Sequence, residues 1–224
     1  MIYALILIVA LSLAQTVEAQ KSQERKLGLS LEVGQVQVSE DNLDNGQFIS
    51  ASFTYVVPPT YSLKVSVGQT ELELEELGKL TLRPVTVTVQ YHFPTSNNKL
   101  LPYIGGGAGY YQPKIDLTEA KELLETDLEA LEDEIPGVRI LSTTVKGELE
   151  NKIAFHIVGG LEYNLSTNFL IYGNARYTFL QTEGDFTIKA RVKYLSEPID
   201  VDSSFDTDID LNPLWLSVGL KFIF

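Results

Sequence analysis

Apolar residues occupy every second position in eight separate segments of this chain. In the clearest segment, Val85–Phe93, the sequence VTVTVQYHF alternates apolar or aromatic residues with polar ones. A period of two residues places the two sets on opposite faces of a β-strand. Beyond the N-terminal region, no apolar run approaches the ~18 residues that a membrane-spanning helix needs. The eight predicted strands are Leu27–Gly34, Ile49–Val57, Tyr61–Gly68, Val85–Phe93, Pro102–Tyr111, Phe155–Asn164, Phe169–Phe179 and Trp215–Phe224.

The connections between these segments alternate between long and short. The short ones are Pro58–Thr60, Pro94–Leu101 and Leu165–Asn168, and the long ones are Gln35–Gln47, Gln69–Leu82, Gln112–Asn151 and Leu180–Asn212. In an antiparallel meander, alternate connections lie at opposite ends, so all the short turns share one side. Short periplasmic turns, long outer loops and an even strand number are typical of outer-membrane barrels. The sequence thus predicts an eight-stranded, antiparallel, up-and-down transmembrane β-barrel.

The alternative is a soluble eight-stranded barrel or sandwich, which would turn its bulky face inward. The polar rows of this chain consist mostly of Gly, Ser and Thr, which suit a crowded interior. The bulky rows carry Tyr and Phe near strand ends, where aromatic girdles meet lipid headgroups. We therefore favour the membrane barrel, in which Phe224 completes a lipid-facing row.

The N-terminal 19 residues resemble a secretory signal peptide. Ile2–Leu13 is almost wholly apolar, and Val17 and Ala19 supply the small residues that precede a cleavage site. The predicted organisation is a signal peptide over residues 1–19 and a barrel over residues 20–224. The chain has no cysteine, which excludes disulfides and an anchor through an N-terminal cysteine. The expected location is the bacterial outer membrane.

Several motifs resemble the outer membrane protein W family of small eight-stranded barrels. They are SASFTY at Ser50–Tyr55, LRPVTVTVQYHF at Leu82–Phe93, PYIGGGAGY at Pro102–Tyr110, VGGLEYNLSTNFLIYGNARYT at Val158–Thr178 and DLNPLWLSVGLKF at Asp210–Phe222. The resemblance implies a bacterial outer-membrane barrel with a narrow, largely hydrophobic lumen that passes small hydrophobic molecules. The acidic Gln112–Glu150 loop and the final Ile223-Phe224 depart from the family pattern.

Charged and polar residues in the predicted inward rows form the candidate lumen lining. Interior charges are costly unless they are paired, so we expect a network across the lumen, either as a structural plug or as a binding site. An eight-stranded interior is only just wide enough for side chains, which argues against an open aqueous pore. A substrate must then be small or leave sideways between strands. The candidates are Glu32, Lys64, Gln90, His92, His156, Glu162, Tyr172, Asn174, Arg176 and Lys221.

Catalysis is not predicted, although some small outer-membrane barrels modify lipids. The chain has two histidines, His92 and His156, which the strand assignment places near opposite ends of the barrel. Ester hydrolysis needs a nucleophile, a base and an orienting group within hydrogen-bond reach. Neither histidine has a serine two positions further on. We expect no catalytic residue and no cofactor.

The Gln112–Glu150 loop contains one helical pattern. Asp116 and Glu119 read as an N-cap with a capping box, and Pro136-Gly137 ends the pattern. The apolar stripe suggests a lid that packs on the barrel mouth or lines a hydrophobic entrance, while the other face is acidic. The lid candidates are Leu124, Leu128 and Leu131.

The last long loop reads as a hairpin that continues the barrel above the membrane. Lys189, Arg191 and Lys193 alternate with apolar residues, and we expect them to face Asp206, Asp208 and Asp210 of the returning strand. A calcium site is an alternative for the alternating aspartates Asp200, Asp202, Asp206, Asp208 and Asp210. The run lacks the glycine and terminal glutamate of an EF-hand loop, so no metal is predicted.

Two functions from different classes remain open. The first is a narrow channel for small hydrophobic molecules. The second is a surface-exposed binding or adhesion protein that uses acidic outer loops on an inert barrel. Expected partners are outer-membrane lipid and a small hydrophobic solute. The net charge of −13 argues against nucleic acid. The chain is expected to be a monomer or a small homo-oligomer.

Overall fold

A computed structural model of the protein describes residues 26–39, 43–74, 78–96, 99–134, 138–194 and 197–224. The predicted signal peptide lies outside the described residues. None of the described helices is long and apolar enough to span a bilayer. The elements are β1 (Lys26–Gln37), β2 (Gly46–Val57), β3 (Tyr61–Leu74), β4 (Gly78–His92), β5 (Leu100–Asp116), α1 (Thr118–Glu134), β6 (Val138–Leu149), β7 (Lys152–Asn164), β8 (Phe169–Phe179), β9 (Gln181–Tyr194), β10 (Glu197–Asp210) and β11 (Leu214–Ile223).

Eight of these strands form a closed antiparallel barrel in the order β1-β11-β8-β7-β5-β4-β3-β2. The predicted fold is confirmed, and the eight predicted strands correspond to these eight. The last strand closes the barrel by pairing with the first, with Leu31 opposite Leu220. Leu27 and Phe224 exchange backbone hydrogen bonds of 3.1 and 2.9 Å. The terminal aromatic therefore completes a strand at the seam of the barrel.

The outward rows of the barrel form a broad apolar band. On β7 this row runs from Ile153, which is 74% exposed, through Phe155, which is 69% exposed, to Tyr163. About ten residue steps of ~3.3 Å along a strand tilted by ~40° rise roughly 25 Å, the height of a lipid-facing band. Water would not tolerate so much contiguous apolar surface on a monomer, whereas hydrocarbon would. The bulky rows thus face lipid.

The strands are longer than the alternation predicted, and the long connections are correspondingly shorter. The predicted loop Gln69–Leu82 instead continues β3 to Leu74 and starts β4 at Gly78. The outward row of β3 reads Tyr61, Leu63, Val65, Val67, Gln69, Glu71, Glu73, and its inward row reads Ser62, Lys64, Ser66, Gly68, Thr70, Leu72. Each row continues to face the same side of the wall. From Gln69 onward, however, the outward row is polar, and the inward row becomes apolar at Leu72.

This reversal divides the wall into two parts. We define the lower barrel by the apolar-outside part of β3 and β4, Tyr61–Val67 and Val85–His92, and the upper barrel by Gln69–Leu74 and Gly78–Arg83. In the lower barrel the interior is polar and the exterior apolar. In the upper barrel the interior is apolar and the exterior polar, as in a water-soluble protein.

β6, β9 and β10 form a separate sheet, which we call the outer sheet, in the order β10-β9-β6. The β9–β10 hairpin was predicted from the last long loop. β6 was not, because the Gln112–Asn151 connection was read as a loop with one helix. That helix, α1, lies mainly against β6 and also contacts β4 of the barrel. The expectation that its apolar stripe acts as a lid stays a prediction.

The register of the hairpin differs from the expected one. Lys189 lies opposite Asp202 and Arg191 opposite Asp200, whereas Lys193 lies opposite Pro198. The two ion pairs measure 2.7 Å and 2.5 Å. Because Tyr194 lies opposite Glu197, Arg191 and Lys189 meet the first two aspartates of β10. Asp206, Asp208 and Asp210 instead lie opposite Asp185, Glu183 and Gln181.

Candidate functional site

The lower barrel is crossed by a polar network centred on Glu32. Its carboxylate accepts hydrogen bonds from Lys64 Nζ at 2.8 Å, Ser217 Oγ at 2.6 Å, Tyr172 Oη at 3.1 Å and Asn174 Nδ2 at 3.3 Å. These donors come from three other strands, since β3, β8 and β11 all present their polar rows inward. The buried carboxylate is thus compensated by one cation and three neutral donors, as a charge inside a barrel requires.

A second pair, Glu162 with Lys221, completes the network. Lys221 Nζ donates to the Glu162 carboxylate, and His92 Nε2 lies 3.6 Å from the same carboxylate. The ammonium groups of Lys64 and Lys221 lie 4.9 and 5.6 Å from the centre of the Tyr172 ring. Two buried ion pairs therefore place their ammonium groups beside one aromatic ring in the lower barrel.

The other lumen candidates lie around this network. Ser62 Oγ donates to Gln90 Oε1 at 3.0 Å. Arg176 lies over the Trp215 ring at 4.6 Å, at the boundary with the upper barrel. The structure buries Glu32, Lys64, Gln90, His156, Glu162, Tyr172 and Lys221, and half-buries His92, Asn174 and Arg176. All ten side chains thus belong to the inward rows, and seven of them form two polar clusters, one around Glu32 and one around Glu162.

His156 lies deep in the interior, and its only described polar contact is with Thr88. Its Nε2 and the Thr88 hydroxyl share a hydrogen bond of 2.9 Å. Among the described residues its Nδ1 has no hydrogen-bond partner, so no carboxylate orients the ring. A hydroxyl, a base and an orienting acid are all needed to activate a nucleophile. The Thr88–His156 pair supplies a hydroxyl and a base, and no orienting acid contacts it among the described residues.

The upper barrel is filled by an apolar cluster. Trp215 and Phe48 meet edge to face with ring centroids 5.1 Å apart. Leu72, Leu82 and Tyr111 are fully buried beside them. The cluster consists of Val36, Phe48, Leu72, Leu80, Leu82, Tyr111, Ala154, Leu180, Leu211 and Trp215. An axial path for water or ions would have to cross both this cluster and the charged layer below it.

The barrel wall has an irregularity where the two parts meet. The β3–β4 ladder is continuous from Tyr61 to Val67 and from Thr70 to Leu74, but it skips Gly68 and Gln69 opposite Arg83 and Pro84. Proline has no N–H to donate, so one ladder hydrogen bond is lost at this level. On the other side of β4 the ladder with β5 is unbroken through Pro84. The interruption thus separates β3 from β4 alone.

Several residues of the interior were not predicted. Tyr103 is buried in the glycine-rich β5, whose two faces could not be distinguished from the sequence. A Cβ placed on Gly160 would lie 2.6 Å from the Tyr103 hydroxyl, and one on Gly219 would lie 2.5 Å from the Tyr172 ring. These inward glycines make room for the two tyrosines. A glycine in an inward row beside a bulky inward aromatic is the signal that could have found Tyr103, whereas Tyr172 was already among the lumen candidates.

The candidate lid residues lie on α1, which packs mainly against β6 of the outer sheet. Leu124 and Leu128 are half-buried, whereas the side chain of Leu131 lies outside the described part of the structure. The helix begins at Thr118, whose N–H donates to Asp116 Oδ1 at 3.1 Å. The Thr118 hydroxyl also donates to Asp116 Oδ1, at 2.6 Å, and this hydrogen bond together with that of the N–H holds the pKa of the Asp116 carboxyl below its usual value. Asp116, which was predicted as the N-cap, thus supports the start of the helix from one residue before the observed N-cap position, Leu117.

The aspartates of β10 do not gather around a common point. In the part of the chain that the structure describes, no three His, Asp or Glu side chains are arranged to hold a metal ion. Asp200 and Asp202 instead form ion pairs with Arg191 and Lys189. The calcium alternative has no geometric support there.

Comparisons with known structures place this architecture among outer-membrane barrels. OprG from Pseudomonas aeruginosa superposes with a TM-score of 0.56 at 15% identity, covering 89% of this chain and 93% of its own. Neisserial surface protein A superposes with a TM-score of 0.52 at 13% identity, covering 91% of this chain and 99% of its own. Ail of Yersinia pestis superposes with a TM-score of 0.51 at 17% identity, covering 90% of this chain and 100% of its own. That structure is a complex with the heparin analogue sucrose octasulfate. At these identities the similarity shows the fold alone.

Sequence comparison agrees with the fold. No curated protein sequence matches the chain. The profile of a family described as "Outer membrane protein beta-barrel domain" matches residues 4–222, almost the whole chain. The chain therefore belongs to the outer membrane protein β-barrel domain family, and its place is in the outer membrane.

Proposed function

We propose that this barrel carries small apolar molecules from the cell exterior into the outer membrane and releases them sideways between β3 and β4. The observation that carries the proposal is the position of the interrupted β3–β4 ladder. It lies at the level where the interior changes from apolar to charged and the exterior changes from polar to lipid-facing. The resemblance to the outer membrane protein W family favours the same class of solute.

The two halves of the interior give the solute a direction. An apolar molecule that enters among Leu72, Leu82 and Phe48 finds side chains of its own polarity. Below them it meets the Glu32–Lys64 and Glu162–Lys221 pairs, which cannot lose their hydrogen-bond partners to an apolar solute without a large penalty. The axial route is therefore closed to it, and the lateral one leads directly into hydrocarbon.

The wall is weakest where exit is proposed. Elsewhere in the barrel the described strand pairings run without a break, and each backbone hydrogen bond of a ladder contributes about 1 kcal/mol. Across Gly68–Gln69 and Arg83–Pro84 the pairing is interrupted, because Pro84 has no N–H to donate. Gly68 also has no side chain to fill the gap on the inner face. The two strands can separate there at lower cost than at any regular part of the same ladder.

A disulfide staple across the interruption tests the proposal. The chain has no cysteine, so Gln69→Cys with Arg83→Cys introduces one defined pair. We expect the oxidised variant to lose uptake of the apolar fluorophore N-phenyl-1-naphthylamine into vesicles with lipopolysaccharide in their outer leaflet. Reduction should restore uptake. The matched control, Glu71→Cys with Thr81→Cys, joins a regular pair of the same ladder and should leave uptake unchanged.

Two results would count against this function. If the wild-type barrel takes up the fluorophore no faster than protein-free vesicles, it does not transport apolar molecules. If uptake is fast but the Gln69–Arg83 staple leaves it unchanged, the solute does not leave between β3 and β4.

A further inference from the structure

β10 is an edge strand whose outer side is open. It pairs with β9 over its whole length, from Glu197 opposite Tyr194 to Asp210 opposite Gln181. In the residues that the structure describes, no strand pairs with its other side. Every residue of β10 is exposed except Ile209, which is half-buried. Such an edge presents a row of unpaired N–H and C=O groups that can template a further strand.

The two faces of β10 differ in chemistry. One face carries Asp200, Asp202, Asp206, Asp208 and Asp210, and the other carries Ile199, Val201, Phe205 and Ile209. The apolar face continues across the sheet, where Phe205 stacks on Phe186 with ring centroids 5.4 Å apart. α1 packs against β6 of the outer sheet, and Ile199, Val201 and Phe205 of β10 remain about half exposed. A fourth strand would cover them.

The charge on the acidic face is balanced at one end only. Asp200 and Asp202 are paired with Arg191 and Lys189. Asp206 lies directly opposite Asp185, an arrangement of like charges that is unfavourable in a sheet. A hydrogen bond between these two carboxyls raises the pKa of Asp185 above its usual value.

The next pair along, Asp208 and Glu183, is only partly balanced. Lys152 contacts Glu183 at 2.7 Å and Glu150 at 2.8 Å, so its charge is shared between two glutamates. Asp208 itself has no ion-pair partner in the described residues. The barrel-proximal half of β10 therefore carries uncompensated negative charge next to its open edge.

We propose that β10 binds an extended, basic segment of a partner protein, which adds to the outer sheet as a fourth strand. Cross-strand neighbours share a face, so Lys or Arg of the partner would lie opposite Asp206 and Asp208, and apolar residues at alternate positions would cover Val201 and Phe205. β9 already shows the pattern that fits: it alternates Lys and Arg with Ile, Ala and Val along the other side of β10.

A second copy of this chain is a poor occupant of the same edge. Two β10 strands side by side would bring aspartates of one against aspartates of the other, and like charges directly opposite are destabilising. Edge charges of this kind protect against self-pairing while they leave the backbone open to a segment of opposite charge. The charge pattern thus selects a basic partner. This inference concerns the outer sheet and does not depend on transport through the barrel.

The test uses a synthetic peptide that alternates lysine with valine, together with the same peptide N-methylated at alternate amides. Methylation keeps every charge and side chain but removes the donors that a strand needs. We expect the unmodified peptide to bind the full chain in lipid nanodiscs by calorimetry, and the N-methylated peptide not to bind. Asp206→Asn with Asp208→Asn should weaken binding roughly tenfold through the loss of two cross-strand ion pairs.

The matched control removes two acidic charges elsewhere. Glu122→Gln with Asp127→Asn lies on the exposed face of α1 and should bind as the wild type does. β10 is exposed, so the Asp206/Asp208 variant should fold, which heat-modifiable gel mobility can verify. Equal binding of the N-methylated peptide, equal binding by the Asp206/Asp208 variant, or no binding of the unmodified peptide would each overturn the proposal.

Discussion

The lower and upper barrel belong to the same eight strands, yet they are built in opposite senses. On β1, Leu31 points outward and Glu32 inward, whereas four residues further along Gln35 points outward and Val36 inward. The backbone and its pleat are the same at both levels, so the difference comes from the surrounding medium. Hydrocarbon accepts the apolar side chains in the lower barrel, and water accepts the polar ones in the upper barrel.

The comparison shows which half depends on charge and which on apolar burial. The upper interior is a compact apolar cluster around Trp215, stabilised as any soluble core is. The lower interior has no comparable apolar content and depends on satisfying Glu32, Glu162 and their two lysines. A barrel of this kind is stable in its lower half only if every interior charge keeps its partner.

The largest expected effect comes from breaking that balance. Glu32→Ala leaves Lys64 buried without its counterion and should lower the free energy of unfolding by about 3–5 kcal/mol. Urea unfolding in lipid vesicles, followed by tryptophan fluorescence, measures the change. The double variant Glu32→Met with Lys64→Met removes both charges and should recover most of the loss. A loss of under ~1 kcal/mol for Glu32→Ala would mean that the lower interior is hydrated and not closed.

A smaller effect is expected on the outer surface, where the boundary can be located directly. Leu31→Arg places a cation in the middle of the lipid-facing band and should cost about 2–4 kcal/mol. Gln35→Arg, on the same strand and face but beyond the reversal, should change stability by less than ~0.5 kcal/mol. An equal loss of unfolding free energy at the two positions would show that the membrane extends to Gln35. It would contradict the division of the wall into a lower and an upper barrel.

The alternation of the lower barrel could be predicted from the sequence because its two rows differ in both size and polarity. Tyr61–Val67 sets bulky apolar residues against Ser and Lys, and that contrast indicates a strand and its lipid-facing side. The upper barrel could not be found in the same way. Around Gln69–Leu74 the apolar residues move to the other row, so the period-two signal changes phase and the segment reads as a loop.

The interior was predicted in part for a related reason. Some inward residues could be identified because they alternate with a clear row of apolar residues on the same strand. Lys64, Glu162 and Lys221 are examples. Their partners across the lumen could not be identified, because the sequence does not state which strands lie opposite each other in a closed cylinder. The same limit applies to the hairpin register, where one turn length decides whether Arg191 meets Asp200 or Asp208.

The smallest expected effect concerns exposed charge, and it contrasts with the buried pairs of the lower barrel. Asp185 and Asp206 lie side by side on the outer sheet, and their hydrogen bond raises the pKa of Asp185. A carboxyl whose pKa is raised by folding holds its proton more tightly in the folded state. Its stabilising contribution is therefore complete below the ordinary aspartate pKa of about 4, and it disappears as the pH rises through the folded-state value.

The β9–β10 pairing should accordingly be more stable at pH 4 than at pH 7. Amide protection factors for Phe205–Asp208, corrected for intrinsic exchange, should rise as the pH falls, while those of the lower barrel stay constant. Asp206→Asn replaces one like charge with an amide that donates to Asp185, so it should flatten this pH dependence and raise protection at pH 7. If protection of β10 in the wild type instead falls on acidification, the ion pairs of Asp200 and Asp202 with Arg191 and Lys189 control the outer sheet, since acid would protonate both carboxylates.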